Sequence, residues 1–90
     1  MPSITRKFVW SGHSEVAERF RYNLKELMVE RKMTQVELGR LTRLGHTYVN
    51  YVLKGKLTPG LAIVDRVAKV FGVPPLRLLE KIPSKSSVLP

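Results

Sequence analysis

The stretch from Thr34 to Gly55, TQVELGRLTRLGHTYVNYVLKG, constrains the fold more than any other part of the chain. Thr34 followed by Glu37 is a capping box: the threonine oxygen accepts from the third helical amide, and the glutamate reaches back to the cap amide. Met33 before the cap and Leu38 inside the helix form the matching hydrophobic staple. Gly55, one residue past Lys54, suits a left-handed residue closing a second helix. Two short helices joined by a tight turn are therefore expected. Their inward positions are Val36, Leu38, Leu41, Leu44, Val49, Val52 and Leu53. The second helix turns His46, Thr47, Asn50, Tyr51 and Lys54 outward, and His46, Asn50 and Lys54 share a face at i, i+4 and i+8.

Charge sharpens this pattern. From Leu38 to Val64 there is no Asp or Glu, while Arg40, Arg43, Lys54 and Lys56 fall inside the window. The whole chain carries a formal +9, which favours polyanionic partners. A basic, acid-free surface around a short polar-faced helix is the footprint of a nucleic-acid reader.

These residues resemble the helix-turn-helix of the lambda repressor and Cro-like proteins, the XRE family. The family pattern is met at Gln35, Leu38, Gly39, Val49, Val52, Gly55 and Pro59, with Ala68, Phe71, Gly72 and Leu78 fitting downstream. The resemblance spans roughly Phe20 to Lys81. Two departures stand out. Arg43 occupies the turn position where the family usually has Gly, at about 1 kcal/mol if the residue is left-handed. Met28 and Leu53 replace a buried Arg–Glu pair. Removing both charges together avoids stranding one of them, so a Met28–Leu53 contact is expected.

Ninety residues without cysteine allow one domain with a modest core and no disulfide framework or cysteine zinc site. His13 and His46 lie far apart without clustered carboxylates, so no metal or cofactor is expected. No apolar run reaches the length of a membrane span. The start, MPSITRKFVWSGH, lacks the apolar region of a secretory signal. A cytoplasmic location is expected.

Taken in order, residues 1–13 form an N-terminal arm or extension. Within it Ile4–Trp10 has strand-like content: Phe8, Val9 and Trp10 pack on the domain, or Arg6 and Lys7 touch a DNA backbone. The domain proper is expected over 14–82 as an all-α, five-helix unit. Ser14 caps the first helix, with Glu15 and Glu18 near its positive end and Arg31 and Lys32 at its negative end. Val16, Phe20, Leu24, Leu27 and Met28 form its buried face. Four of the seven acids lie on this helix, which makes it a poor DNA face except at its ends.

Pro59 and Gly60 separate the third helix from a fourth over Leu61–Phe71. Leu61, Val64, Ala68 and Phe71 form one stripe of this helix, and Ile63, Val67 and Val70 a second that needs a cover. Gly72 ends it. Val73-Pro74-Pro75 leads into a fifth helix, Pro75 to about Lys81. Leu76, Leu78 and Leu79 cannot all face one core. Residues 83–90 read as a flexible tail.

The roles follow from motif position. Gln35 is expected on a phosphate, aided by the helix dipole, with Thr34 beside it. Asn50 is the best base reader, because an amide pairs bidentately with adenine. His46 and Thr47 sit at the helix start, which enters the groove most deeply; His46 is equally well a surface histidine. Arg40, Arg43, Tyr51, Lys54 and Lys56 are backbone contacts, with packing an equal option for Tyr51. Ile63, Val70, Leu76 and Leu79 are the expected dimer interface.

No catalytic constellation is present: Ser11, His13 and Ser14 lack a carboxylate partner, and Glu26 and Glu30 lie on a helix exterior. The chain is thus expected to be a non-enzymatic, sequence-specific regulator that binds double-stranded DNA as a homodimer. The resemblance implies a small Cro-like repressor from a phage or mobile element, without small-molecule ligand. The competing class is a protein-interaction module, such as an antitoxin or adaptor, hooked by Phe8, Trp10, Ile63, Val70, Leu76 and Leu79. A third option is nucleic-acid binding without sequence preference.

Overall fold

Ser14 starts the first helix as its context predicts: its hydroxyl oxygen accepts from the Ala17 amide at 3.2 Å. The helix, α1, runs Glu15–Arg31 and ends on Lys32 in a left-handed conformation. The computed structural model describes residues 14–83. The other elements are α2 (Gln35–Thr42), α3 (His46–Leu53), α4 (Leu61–Phe71) and a 3-10 helix, η1 (Pro75–Leu79). Among the described residues there is no strand, and no helix is long and apolar enough to cross a membrane. The Ile4–Trp10 segment, and the tail beyond Pro83, lie outside the described residues.

The architecture is all-α, but with four α-helices rather than five. The expected fifth helix is a 3-10 turn that stops at Leu79, where Glu80 turns extended. Asn23 explains the stop. Its side-chain amide donates to the carbonyls of Leu78 at 3.0 Å and Glu80 at 2.9 Å. These bonds draw the chain across α1 rather than letting it wind on.

Phe20, Leu24, Leu27 and Met28 of α1 meet Leu38, Val49 and Val52 of the helical pair, and Val64, Val67, Ala68 and Phe71 of α4, in one core closed by Leu78. η1 packs between α1 and α4; α2 packs on both α3 and α4. Val67 therefore belongs to the core, and Ile63 and Val70 lean against it half-buried. The second stripe of α4 is covered from within, because α2 and η1 flank the helix and widen its buried face. Leu61, at the very start of α4, is instead 78% exposed. Val16 is also exposed; it lies in the first turn of α1, beyond the reach of the other described elements. Ala17 takes the inward place.

In α2 the inward phase differs from the expected one. Val36 is 62% exposed and Leu41 46%, whereas Leu38, Gly39 and Thr42 are buried. Thr42 can face inward because its hydroxyl donates to the Leu38 carbonyl at 2.7 Å, one turn back. Gly39 fixes the phase. A Cβ there would lie 2.5 Å from the Gly45 carbonyl carbon and 2.6 Å from the His46 nitrogen. Backbone meets backbone at this point, so only hydrogen fits. Gly39→Ala is expected to destabilise the fold by roughly 2–3 kcal/mol, read from urea midpoints. Gly60→Ala, which meets nothing within 4 Å, is the control.

Candidate nucleic-acid interface

The capping box sets the start of α2. The Glu37 amide donates to Thr34 Oγ1 at 3.1 Å, and the Thr34 amide to Glu37 Oε1 at 3.4 Å. This commits Thr34 to the cap and leaves Gln35 at the first helical position. Leu38 is fully buried and Met33 packs on the same core, as a staple requires.

The turn into α3 is organised on the Gly39 carbonyl, which accepts from the amides of Leu44 at 3.0 Å and Gly45 at 3.1 Å. Arg43 adopts φ +64 and Gly45 φ +90. The condition posed for Arg43 is thus met: the turn keeps its left-handed residue, carried by an arginine. Thr42 secures the turn from inside: its Oγ1 accepts from the Leu44 amide at 3.4 Å, and its carbonyl accepts from Arg66 Nη1 of α4 at 3.2 Å.

From this turn α3 leaves with Gly45 as its cap and neither a side-chain acceptor nor an acid in its first turn. Its positive end is therefore open to electron-rich groups. Val49 and Val52 are buried; His46, Thr47, Tyr51 and Lys54 are exposed, and Asn50 is half-buried. The predicted outward face is thus the observed one. Leu53, expected inward, is half-buried and, with Met28, lines the groove between α1 and α3. α3 closes as predicted on Gly55 at φ +80, where the Gly55 amide donates to Val52 and the Lys56 amide to Tyr51.

One bond ties the two helices at the site. Asn50 Nδ2 donates to Gln35 Oε1 at 3.1 Å. The assumed phosphate ligand and the assumed base reader are therefore a pair. Gln35 keeps its own amide hydrogens for an acceptor outside, and Asn50 keeps its carbonyl oxygen and second N–H.

The remaining basic candidates are spread out. Lys54 shares the groove with Gln35 and Asn50. The Lys56 ammonium lies 5.8 Å from the Tyr51 ring centre, so these two act together. Arg40 and Arg43 are exposed at the far end of α2, about 8–12 Å of helix away from Gln35. Of the residues that position the turn, Gly39 is marked by the family pattern, while Thr42 and Arg66 carry no sequence mark of that role. Arg66 and Thr42 are far apart in the chain, and a buried threonine reads as polar.

A capped helix, a turn packed backbone to backbone, and a second helix showing polar side chains to solvent define the class of DNA-binding helix-turn-helix proteins. Residues 24–78 match the model of a helix-turn-helix family. A solved structure, that of a hypothetical transcription factor, NHTF, from Neisseria, is similar over 84% of this chain and 87% of its own, with TM-score 0.70 and 26% identity. No curated protein matches the chain. The chain belongs to this helix-turn-helix family, the lambda repressor-like or XRE group.

Replacing Arg43 by Gly is expected to relieve the left-handed strain and stabilise the protein by about 1 kcal/mol. Urea titrations of both proteins measure it.

Proposed function

We propose that this DNA-binding protein is a sequence-specific transcription regulator that works as a small Cro-like repressor, by occupying its operator. The observation that carries this reading is the Gln35–Asn50 bond on the open side of α3. An asparagine pairs bidentately with adenine, and the bond to Gln35 orients the Asn50 amide for it. α3 enters the major groove with His46 and Thr47 leading and Asn50 behind them. Gln35, Arg40, Arg43, Lys54 and the Tyr51–Lys56 pair hold phosphates on either side, supplying affinity without sequence information. Thr34 supports that contact through the cap rather than by touching DNA.

Selection on random duplex is the decisive experiment. A single enriched motif supports the reading; no enrichment over random DNA rejects it. On the selected site Asn50→Ala is expected to lose roughly 1–3 kcal/mol at one base pair. Gln35→Ala and Asn50→Ala together are expected to lose less than the sum of the two, by roughly 0.5–3 kcal/mol. Lys54→Ala weakens all sequences alike and lowers the salt slope by about one. Fluorescence anisotropy at several salt concentrations reads all of these.

A homodimer belongs to the same proposal, with half-sites about 34 Å apart on the duplex. Of the residues assigned to its interface, Leu76 is 74% exposed, while Ile63, Val70 and Leu79 give only part of their surface to a partner. Leu76→Lys is expected to shift the protein to monomer in analytical ultracentrifugation; an unchanged dimer would move the interface elsewhere. The alternative of a protein-interaction module would draw on the same residues, and Ile63, Val70 and Leu79 pack against the chain's own core, which limits what they offer to any partner.

A further inference from the structure

Beside the α3 face lies a groove of about 640 Å³ between the C-terminal half of α1, the start of α2 and the end of α3. It is an open surface groove rather than an enclosed cavity, with a volume in the range of small-molecule sites. On α1 the lining residues Lys25, Met28 and Val29 stand at i, i+3 and i+4, one continuous face, and Lys32, the left-handed residue that closes the helix, also lines the groove. Met33 and Leu53 complete an apolar floor, and Lys54 closes the rim opposite. No acid lines the groove.

Charge on α1 is segregated. Lys25 and Lys32 face this groove, while Glu26 and Glu30 line a different depression beside η1, together with Glu80. None of the ion pairs among the described residues engages Lys25, Lys32 or Lys54. The cations are therefore available. Part of the floor beneath them is available too: Val29 is 76% exposed and Met33 and Leu53 are half-buried, while Met28 is buried; the methionines are soft side chains that adapt to a ligand's shape.

A phosphodiester would use the lysines and leave the apolar floor in water. A neutral hydrocarbon would use the floor and leave three ammonium groups without a partner. The chemistry that satisfies both is an acid with an apolar body. We propose that this groove binds an amphipathic organic anion, a carboxylate on an alkyl or aromatic frame, and that its occupancy excludes DNA. The exclusion rests on the proposed DNA-binding role, because Gln35, Asn50 and Lys54 line the groove and serve both ligands. The ligand's carboxylate takes the lysines that a phosphate would take. Its body sits against Met28 and Leu53, close to the side chain that orients Asn50.

The test uses decanoate below its micelle concentration, with decanol and inorganic sulfate as single-property controls. In methyl and amide NMR spectra of the full chain without DNA, decanoate is expected to shift Met28, Val29, Met33 and Leu53 saturably. Decanol and sulfate each leave these signals in place. The double variant Lys25→Gln/Lys32→Gln weakens decanoate binding roughly fivefold. Val29→Glu, a surface change that brings an acid to the groove, abolishes it, while the other signals report an intact fold. Shifts spread evenly over Leu24, Val67 and the rest of the core would overturn the site, as would an equal response to decanol.

The second arm adds decanoate to the protein on its selected duplex and reads anisotropy. Displacement from DNA for the wild type, but not for Val29→Glu, is the expected result. Saturable binding without displacement overturns the exclusion. A chain that binds decanoate but no DNA would defeat the proposed function and leave the NMR result standing, so the two failures are separable.

Discussion

The contact between Gly39 and the Gly45–His46 peptide is the constraint on which the rest of the interface depends. A side chain at residue 39 would have to occupy space already filled by main chain. With hydrogen there, the Gly39 carbonyl reaches two successive amides of the turn. The direction of α3 is therefore set by backbone atoms, which do not repack when surface residues change. The solvent face of α3 is free to vary in sequence while its position stays fixed, which suits a scaffold whose variable part is a row of reading side chains.

Polar side chains brace this frame where helices end. Arg31 donates to the Phe71 carbonyl at 3.0 Å with its guanidinium 5.8 Å from the ring centre, joining the ends of α1 and α4. Asn23 holds η1, and Arg66 holds the end of α2. Each delivers donors to helix-end or turn carbonyls that would otherwise lack intrahelical partners. Every buried side-chain nitrogen and oxygen among the described residues finds a partner. In a chain this short, a few such ties set the relative placement of helices that apolar contact alone would let slide.

Local chemistry was legible in the sequence and cross-chain geometry was not. The Thr34–Glu37 box, the Ser14 cap and the Gly55 and Gly72 closures are each decided within a few residues, and the structure holds all of them. The phase of α2 was misjudged because hydrophobicity favours Leu41 over Thr42, while the Gly39 contact, invisible to periodicity, favours Thr42. The fifth helix became a 3-10 turn through Asn23, more than fifty residues upstream. At the site, the outward side of α3 followed from spacing alone. The Gln35–Asn50 bond did not, since it depends on how two helices cross. Met28 is buried in the core as expected, while Leu53, also expected inward, is half-buried at the edge of a groove.

The sorting of charge across α1 has a consequence for how the molecule travels. Glu26, Glu30 and Glu80 line the depression beside η1 together with Arg77 and Lys81, whereas Lys25, Lys32 and Lys54 line the groove beside α3 without an acid, so a chain of net +9 spreads its charge unevenly across α1. Near a polyanion this unevenness favours approach by the acid-free side. Such orientation acts over about a Debye length, roughly 8–10 Å at physiological salt. Ionic strength will therefore act on how fast the protein arrives as well as on how tightly it holds.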